Sequence, residues 1–414
     1  MKNFFKDDIP EYFYIIVFLL YSFNLFTKFY IPHDDALRHA VTYFYEYNLK
    51  SHTFGSYYPS FDPHYLYDIV FGFFHSKFGI WSFPIMQSLL LLLYSLAYWR
   101  LGSMYIEDKG HRLLFYSICI MFSDYILARP KSIANSLFLL SFGFPTLSPI
   151  FSLLCVSFYH AFWIYLSIIS IYFVLKRRYL LSFLHVAIAV LGVFLWSYLT
   201  SYEYIEFEYT LFKIDSFRIA EFVIDENKSL LVSVLPCFVF IYPSLRYFYK
   251  DIPLFVSILP FMVINQSRYI ASVIPLSLCF FRYIKISIPA TICILSILLP
   301  LSKLETSYDF FSFMYNQKHI NLSGNVLCQN LSGANYALYF AQTRDVRIAP
   351  IAEVGFMDRN LQKTVVYLNT KNPCGTLRKY NVNYLITDGS VYKWKCLERE
   401  INVGKYTIMK VIND

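Results

Sequence analysis

Long apolar runs recur along the first three quarters of the chain, separated by short polar turns. They fall at 12–30, 81–99, 113–128, 132–146, 147–159, 161–175, 179–200, 229–249, 252–266, 269–283 and 285–301. A helix that crosses a bilayer needs roughly 20 apolar residues. The pattern therefore predicts a polytopic α-helical membrane protein with about 11 transmembrane helices. No small-residue cleavage site follows the first run, which reads as an anchor and not as a removed signal.

After Leu301 the pattern changes. Short β-like runs appear: G-N-V-L-C-Q, D-V-R-I-A-P, K-T-V-V-Y-L-N, V-N-Y-L-I-T-D and Y-T-I-M-K-V-I. Turn signals such as Ser323-Gly324, Asn372-Pro373 and Asp388-Gly389 separate them. This predicts two domains, a membrane part at 1–301 and a small soluble α/β domain at 302–414, with residues 335–341 as its first helix.

Composition sharpens the class. Of 414 residues, 57% are hydrophobic and only 15% charged, against about 25% charged in soluble domains. A soluble enzyme, a disordered chain and a disulfide scaffold are excluded as readings. Aromatic residues reach 21%, which suits membrane interfaces and equally fits the codon bias of a low-GC genome. The net charge of +8 does not point to nucleic acid, because the basic residues sit in short turns.

Those turns also orient the chain. With Lys2 and Lys6 inside, the basic segments Arg100 to Arg112, Lys176-Arg177-Arg178, Arg246 to Lys250 and Arg282 to Lys285 all fall on the cytoplasmic side. The outer side receives the first loop (32–79), the loop 201–229 and the terminal domain. Of the three outer cysteines, Cys328, Cys374 and Cys396, one pair could form a disulfide and leave one thiol over. The expected setting is a bacterial inner membrane, with the terminal domain periplasmic or extracellular.

Charges near membrane depth mark candidate chemistry. The first outer loop opens with P-H-D-D-A-L-R-H-A, placing His33, Asp34, Asp35, Arg38 and His39 within seven residues. Leu37, Val41 and Phe44 recur at helical spacing, which predicts an amphipathic helix lying on the membrane surface. On it Asp34 faces Arg38 and Asp35 faces His39. A carboxylate there could accept a proton from a hydroxyl or hold a divalent cation. It could equally cap the helix and pair along it. Asp62 and His64 lie further along the same loop. His160, in F-Y-H-A-F-W, suits either the positioning of a hydroxyl or a purely structural role. The acidic stretch E-Y-I-E-F-E-Y reads as a cover over a cavity or as a surface helix.

The first loop continues S-Y-Y-P-S-F-D-P-H-Y-L-Y-D-I-V-F-G-F-F-H-S-K-F-G into the second apolar run. An acidic pair just outside the first span, a juxtamembrane helix and this Pro-containing stretch resemble the GT-C superfamily of membrane glycosyltransferases. Its members include protein O-mannosyltransferases, lipid A aminoarabinose transferases and, more distantly, oligosaccharyltransferases. I-L-A-R-P-K-S-I-A-N-S-L resembles the family's R-P-D-x-x-A start of a span, with Lys131 where an acidic residue is common. S-R-Y-I-A-S-V-I-P-L-S-L resembles a late-span R-Y-x-x-x-x-x-P. K-Y-N-V-N-Y-L-I-T-D is similar to a strand of the family's outer domains. The resemblance runs over most of the chain through short motifs in a shared order. The acidic pair is Asp-Asp where many relatives have Asp-Glu.

The resemblance implies an inverting sugar transfer at the outer face. The donor would be a polyprenyl-phosphate-linked sugar, and the acceptor an envelope glycan, lipid or protein. Asp34 or Asp35 maps onto the family's catalytic base or metal ligand, with a divalent cation such as Mg or Mn compatible with that role. Arg129, Lys131 and Arg268 stand where cations could stabilise the departing phosphate, or could snorkel to headgroups. His33, Arg38, His39, Asp62, His64, His160 and Tyr269 are candidates for positioning substrate. Two other classes compete: an envelope polysaccharide polymerase or ligase, against which the terminal domain speaks, and a transporter, for which internal repeats and midplane charges are missing.

Overall fold

The computed structural model describes residues 9–28, 35–45, 49–59, 61–210, 242, 244–264, 266–283, 322–341, 345–350, 357–366, 368–388, 392–403 and 406–412. It is mostly helical, with one small sheet. In chain order the helices before the sheet are α1 (Ile9–Lys28), α2 (Asp35–Val41), α3 (Tyr65–Phe78), α4 (Ser82–Tyr105), α5 (Lys109–Phe122), α6 (Pro130–Gly143), α7 (Ser148–Phe158), α8 (Phe162–Leu175), α9 (Tyr179–Leu199), α10 (Ile252–Ile264) and α11 (Gln266–Leu278). The chain divides into two compact units. Residues 1–28 and 84–305 form one, and residues 29–83 and 306–414 form the other.

In the first unit the apolar runs become helices close to their expected bounds, because each begins or ends on a residue that cannot continue it. Asp108 caps α5 by accepting from the His111 N–H at 2.8 Å. Pro130 occupies the first turn of α6, where a missing N–H costs nothing. Gly192 of α9 lies against Phe162, and a Cβ there would stand 2.8 Å from that ring.

The faces of α9 run opposite to those of a helix in water. Its buried positions are Ser182, His185, Gly192 and Ser197, while Leu180, Phe183, Leu191 and Phe194 are each about two-thirds exposed or more, at 73%, 67%, 67% and 69%. Inside, the His185 imidazole bonds to the hydroxyls of Ser148 at 2.9 Å and Ser152 at 2.7 Å. A buried polar group needs such partners. Among the described residues, the stretches Tyr65–Tyr105 and Tyr179–Leu199 are long and apolar enough to cross a membrane. Helices such as α7, with 11 residues, fall short of the roughly 20 a crossing needs. Eleven crossings are therefore not established. Most of the expected run at 229–249, and all of that at 285–301, lies outside the described residues.

The second unit is built on a sheet. Its elements are β1 (Gly324–Cys328), α12 (Leu331–Ala341), β2 (Val346–Ala349), α13 (Pro373–Lys379), β3 (Val382–Thr387), β4 (Leu397–Val403) and β5 (Tyr406–Val411). The strand order is β2-β1-β3-β5-β4, with β2, β1 and β3 parallel and β5 antiparallel to both β3 and β4. Leu327, Leu361, Val365, Leu377, Leu385 and Met409 form its core. Cys374 and Cys396 form a disulfide, and Cys328 is a free buried thiol.

One expectation for this region is corrected, and one strand was not foreseen. K-T-V-V-Y-L-N is not a strand: residues 362–366 form a π-helical turn, with the Thr364 hydroxyl donating to the Asn360 carbonyl at 2.7 Å. A short apolar run reads alike as buried strand or buried helix. Conversely β4 lies on L-E-R-E-I-N-V, whose alternation is broken by a register shift between Arg399 and Ile401.

The first outer loop packs into this same unit. Thr53 pairs with Ile348 of β2 in a parallel bridge, and Ser56 pairs with Met357. His52 Nδ1 donates to the Val346 carbonyl at 3.1 Å. Asp358 N–H donates to the Gly55 carbonyl at 2.7 Å. Gly55 has φ +55°, and a Cβ there would meet Leu361 at 2.3 Å, so the turn admits only glycine. The expected amphipathic surface helix is also corrected. Ala36, Leu37, Arg38, His39, Ala40 and Val41 of α2 are all buried, and α2 packs against α3 and α12. A helix covered on every side has no face left to lie on a bilayer.

Candidate functional site

Within the second unit, α2, Tyr58, the turn at 61–64 and the first turn of α3 enclose a charged cluster. Arg38, His39, Asp62 and Asp68 are 5%, 1%, 6% and 1% exposed. His39 Nδ1 bonds Asp68 Oδ1. On the other side of the ring, Arg38 Nη2 stands 3.4 Å from His39 Nε2, and Arg38 Nη1 stands 3.5 Å from the Tyr58 hydroxyl. A guanidinium has no acceptor. His39 Nε2 must therefore offer its lone pair, and the proton sits on Nδ1, facing Asp68. His64 and Tyr67 meet the His39 ring edge-on at 5.2 and 5.1 Å. Asp62 accepts from the His64 N–H at 2.9 Å, a local turn that Pro63 helps set.

Burial, and next the neighbouring Asp68 charge, push the Asp62 carboxyl well above the usual carboxylate range. The cluster is closed, with all four side chains buried. What it does is lock α2, whose first residue is Asp35. Asp34 and His33 lie outside the described residues, and the Asp35 side chain does too. Among the described residues no group of three His, Cys, Asp or Glu stands close enough to hold a metal. The cation expectation rests on Asp34 and Asp35 alone.

In the helical unit, the remaining candidates fall at the starts of helices. Arg129 is the extended residue before α6, directly after Ala128 at φ 46°, and Lys131 sits in the first turn. Both are half-buried. Arg268 and Tyr269 lie in the first turn of α11, with side chains outside the described set. The two helices are joined one turn further in. Asn135 Oδ1 accepts from the Ser272 hydroxyl at 2.8 Å and from the Tyr165 hydroxyl at 2.6 Å. Asn135 follows Lys131 by four residues and Ser272 follows Arg268 by four, so each pair shares a helix face. The backbone therefore brings the starts of α6 and α11 together.

Two charged residues of these sites escaped the sequence reading, and a third, Glu208, lies in the acidic stretch that the sequence marked. Asp68 is an acid within the apolar Y-L-Y-D-I-V-F-G, a signal that was legible. Asp124 accepts from the Tyr94 hydroxyl and, at 3.0 Å, from the Asn135 amide, tying the same network to α4. Glu208, on the helical stretch 203–210, bonds His160 Nδ1 at 2.5 Å and accepts from Trp163 Nε1 at 3.2 Å. Tyr204 donates to the His160 carbonyl at 2.7 Å. His160 thus anchors the described part of the acidic second loop, the helical stretch 203–210.

No protein-family model matches this chain, and no curated protein sequence does. Among solved structures, one similar chain is the archaeal oligosaccharyltransferase AglB from Archaeoglobus fulgidus, in complex with an inhibitory peptide and a dolichol-phosphate. The identity is 11% and the TM-score 0.48, covering 91% of this chain and 69% of that one.

Proposed function

We propose that the chain is a membrane glycosyltransferase that moves a sugar from a polyprenyl-phosphate-linked donor to an envelope glycan, lipid or protein. The observation that carries this reading is the closed Arg38–His39–Asp68–Asp62 cluster. It fixes the short helix that begins at Asp35, within the Asp34–Asp35 pair that the GT-C resemblance marks as reactive. A pair of acids in a loop needs such support to hold one geometry, since a displacement of about 1 Å can cost a hundredfold in rate.

In this mechanism the acceptor hydroxyl attacks the anomeric carbon from the side opposite the lipid phosphate. Its proton passes to Asp34 or Asp35 as the new C–O bond forms. The bond from the anomeric carbon to the phosphate oxygen breaks, inverting that carbon. Arg129, Lys131 and Arg268 are assigned to the charge left on the lipid phosphate, each cation-to-oxygen bond being a charge-assisted one. His39, Asp68, Arg38 and Asp62 act as positioning residues behind α2. His64 and Tyr269 are assigned to positioning substrate, and His160 to holding the second loop.

The test is transfer from a polyprenyl-phosphate sugar to envelope acceptor by purified enzyme carrying Asp34→Asn and Asp35→Asn together. Transfer should fall at least a hundredfold, the low end for losing a general base, with membrane expression unchanged. Wild-type turnover in that double variant would end the proposal.

A further inference from the structure

At the opposite end of the helical unit, three turns that are far apart in sequence converge on one cavity. Lys176 follows α8, Lys250 and Asp251 precede α10, and Arg282 follows α11. Together with Tyr249 and Tyr283 they line an open cavity of about 600 Å³, a volume within the range of small-molecule sites. These are three of the four basic segments that the positive-inside pattern assigns to the cytoplasmic side.

The charges in this cavity do not cancel. Asp251 is buried, and both of its oxygens are used. Lys176 Nζ donates to Oδ1 at 3.2 Å, Arg282 Nη2 donates to Oδ2 at 2.7 Å, and the Leu254 N–H adds a bond to Oδ1 at 3.2 Å. One carboxylate therefore holds two cations in place. Lys250 is a third, and among the described residues its ammonium meets only the face of Tyr249, at 5.2 Å. The buried Arg282 Nε has no hydrogen-bond partner among the described residues. A donor left in that state is costly unless something accepts from it. Three cations against one anion leave two positive charges around the opening.

We infer that this cavity binds a phosphate-bearing anion, and that the phosphate is the headgroup of an anionic phospholipid of the cytoplasmic leaflet. The phosphate accepts from the Arg282 guanidinium and the Lys250 ammonium, while Asp251 holds the guanidinium in place. The lipid source follows from the rim. Phe248, Tyr249 and Ile252 are 46%, 57% and 51% exposed, and exposed aromatic and aliphatic side chains beside cations are the composition of a membrane–water interface. A soluble phosphate would gain nothing from that rim. The site is separate from the sugar-transfer chemistry proposed above and does not depend on it.

The experiment uses full-length protein purified in detergent. Phosphatidylglycerol, phosphatidylcholine and inorganic phosphate are offered separately, with bound lipid counted by native mass spectrometry and phosphate followed by phosphorus NMR. Phosphatidylglycerol should be retained over phosphatidylcholine. Lys250→Gln should lower its retention about fivefold, the factor that corresponds to one interfacial cation. Arg282→Gln should lower it further, and Lys109→Gln, on a different basic turn, should leave it unchanged. Lys250 makes no ion pair with Asp251 among the described residues, so its variant tests the site even if Arg282→Gln fails to fold. Inorganic phosphate binding with the same Lys250 dependence, and no retained lipid, would keep the anion site but overturn its lipid source. Equal retention in wild type and Lys250→Gln, or no binding of either probe, would overturn the inference altogether.

Discussion

Helix α9 and the terminal sheet solve the same burial problem in opposite senses. On α9 the serines and the histidine point inward, and Leu180, Phe183, Leu191, Phe194 and Tyr198 point outward. In the described part of the terminal region, Leu327, Val365, Leu377, Leu385 and Met409 are inside, and Leu368 is the large hydrophobic residue that stands exposed. An apolar outer face is stable against lipid and unstable against water. The difference between the two regions therefore reads as a difference in solvent. The first outer loop adds a third arrangement: packed with the sheet, it buries charges, but in a matched set.

The largest expected effect tests that matched set. Asp68→Ala removes the buried partner of His39, which should cost about 3–5 kcal/mol, the usual penalty for breaking a buried pair. Thermal melting of the purified protein would measure it, and a change under about 1 kcal/mol would mean that the cluster does not hold α2. Next comes the contrast of outer faces. Leu191→Lys should disfavour membrane insertion of the 179–199 segment by about 3 kcal/mol, whereas Leu368→Lys should change stability by no more than about 0.5 kcal/mol. Equal, small effects at both positions would erase the distinction drawn here.

The smallest effect concerns the charge state of Asp62. The fold raises its carboxyl above the ordinary range, mainly through burial, so the native state binds a proton that the unfolded chain releases earlier. Stability attributable to this group is full below the unfolded value and is lost as pH rises towards the raised one. Asp62→Asn, fixed neutral, should flatten that decline and gain about 1 kcal/mol at the alkaline end. Parallel melting-temperature profiles against pH for both proteins would refute the assignment.

Much of the fold was legible in the hydrophobic pattern, because helices and strands carry their periods locally. The runs at 12–30, 81–99, 161–175 and 179–200 correspond to α1, α4, α8 and α9, and four of five expected strands formed. K-T-V-V-Y-L-N misled because a short apolar run has no period of its own, and β4 was hidden by its irregular register. Arg38, His39, Asp62 and His64 could each be picked out as chemistry-bearing residues in the first loop. That Asp68 would complete them could not be read from spacing, since the partners of His39 lie across two elements.

By itself, then, the sequence determined composition, the order and character of the elements, the basic turns and the acidic pair outside the first span. Only the tertiary structure decided that the first loop belongs with the terminal sheet and that α2 is covered on every side. It alone decided that Lys176, Asp251 and Arg282 meet. The reason is physical: periodicity and charge are properties of neighbouring residues, whereas burial and ion pairing depend on which distant segments exclude water from one another.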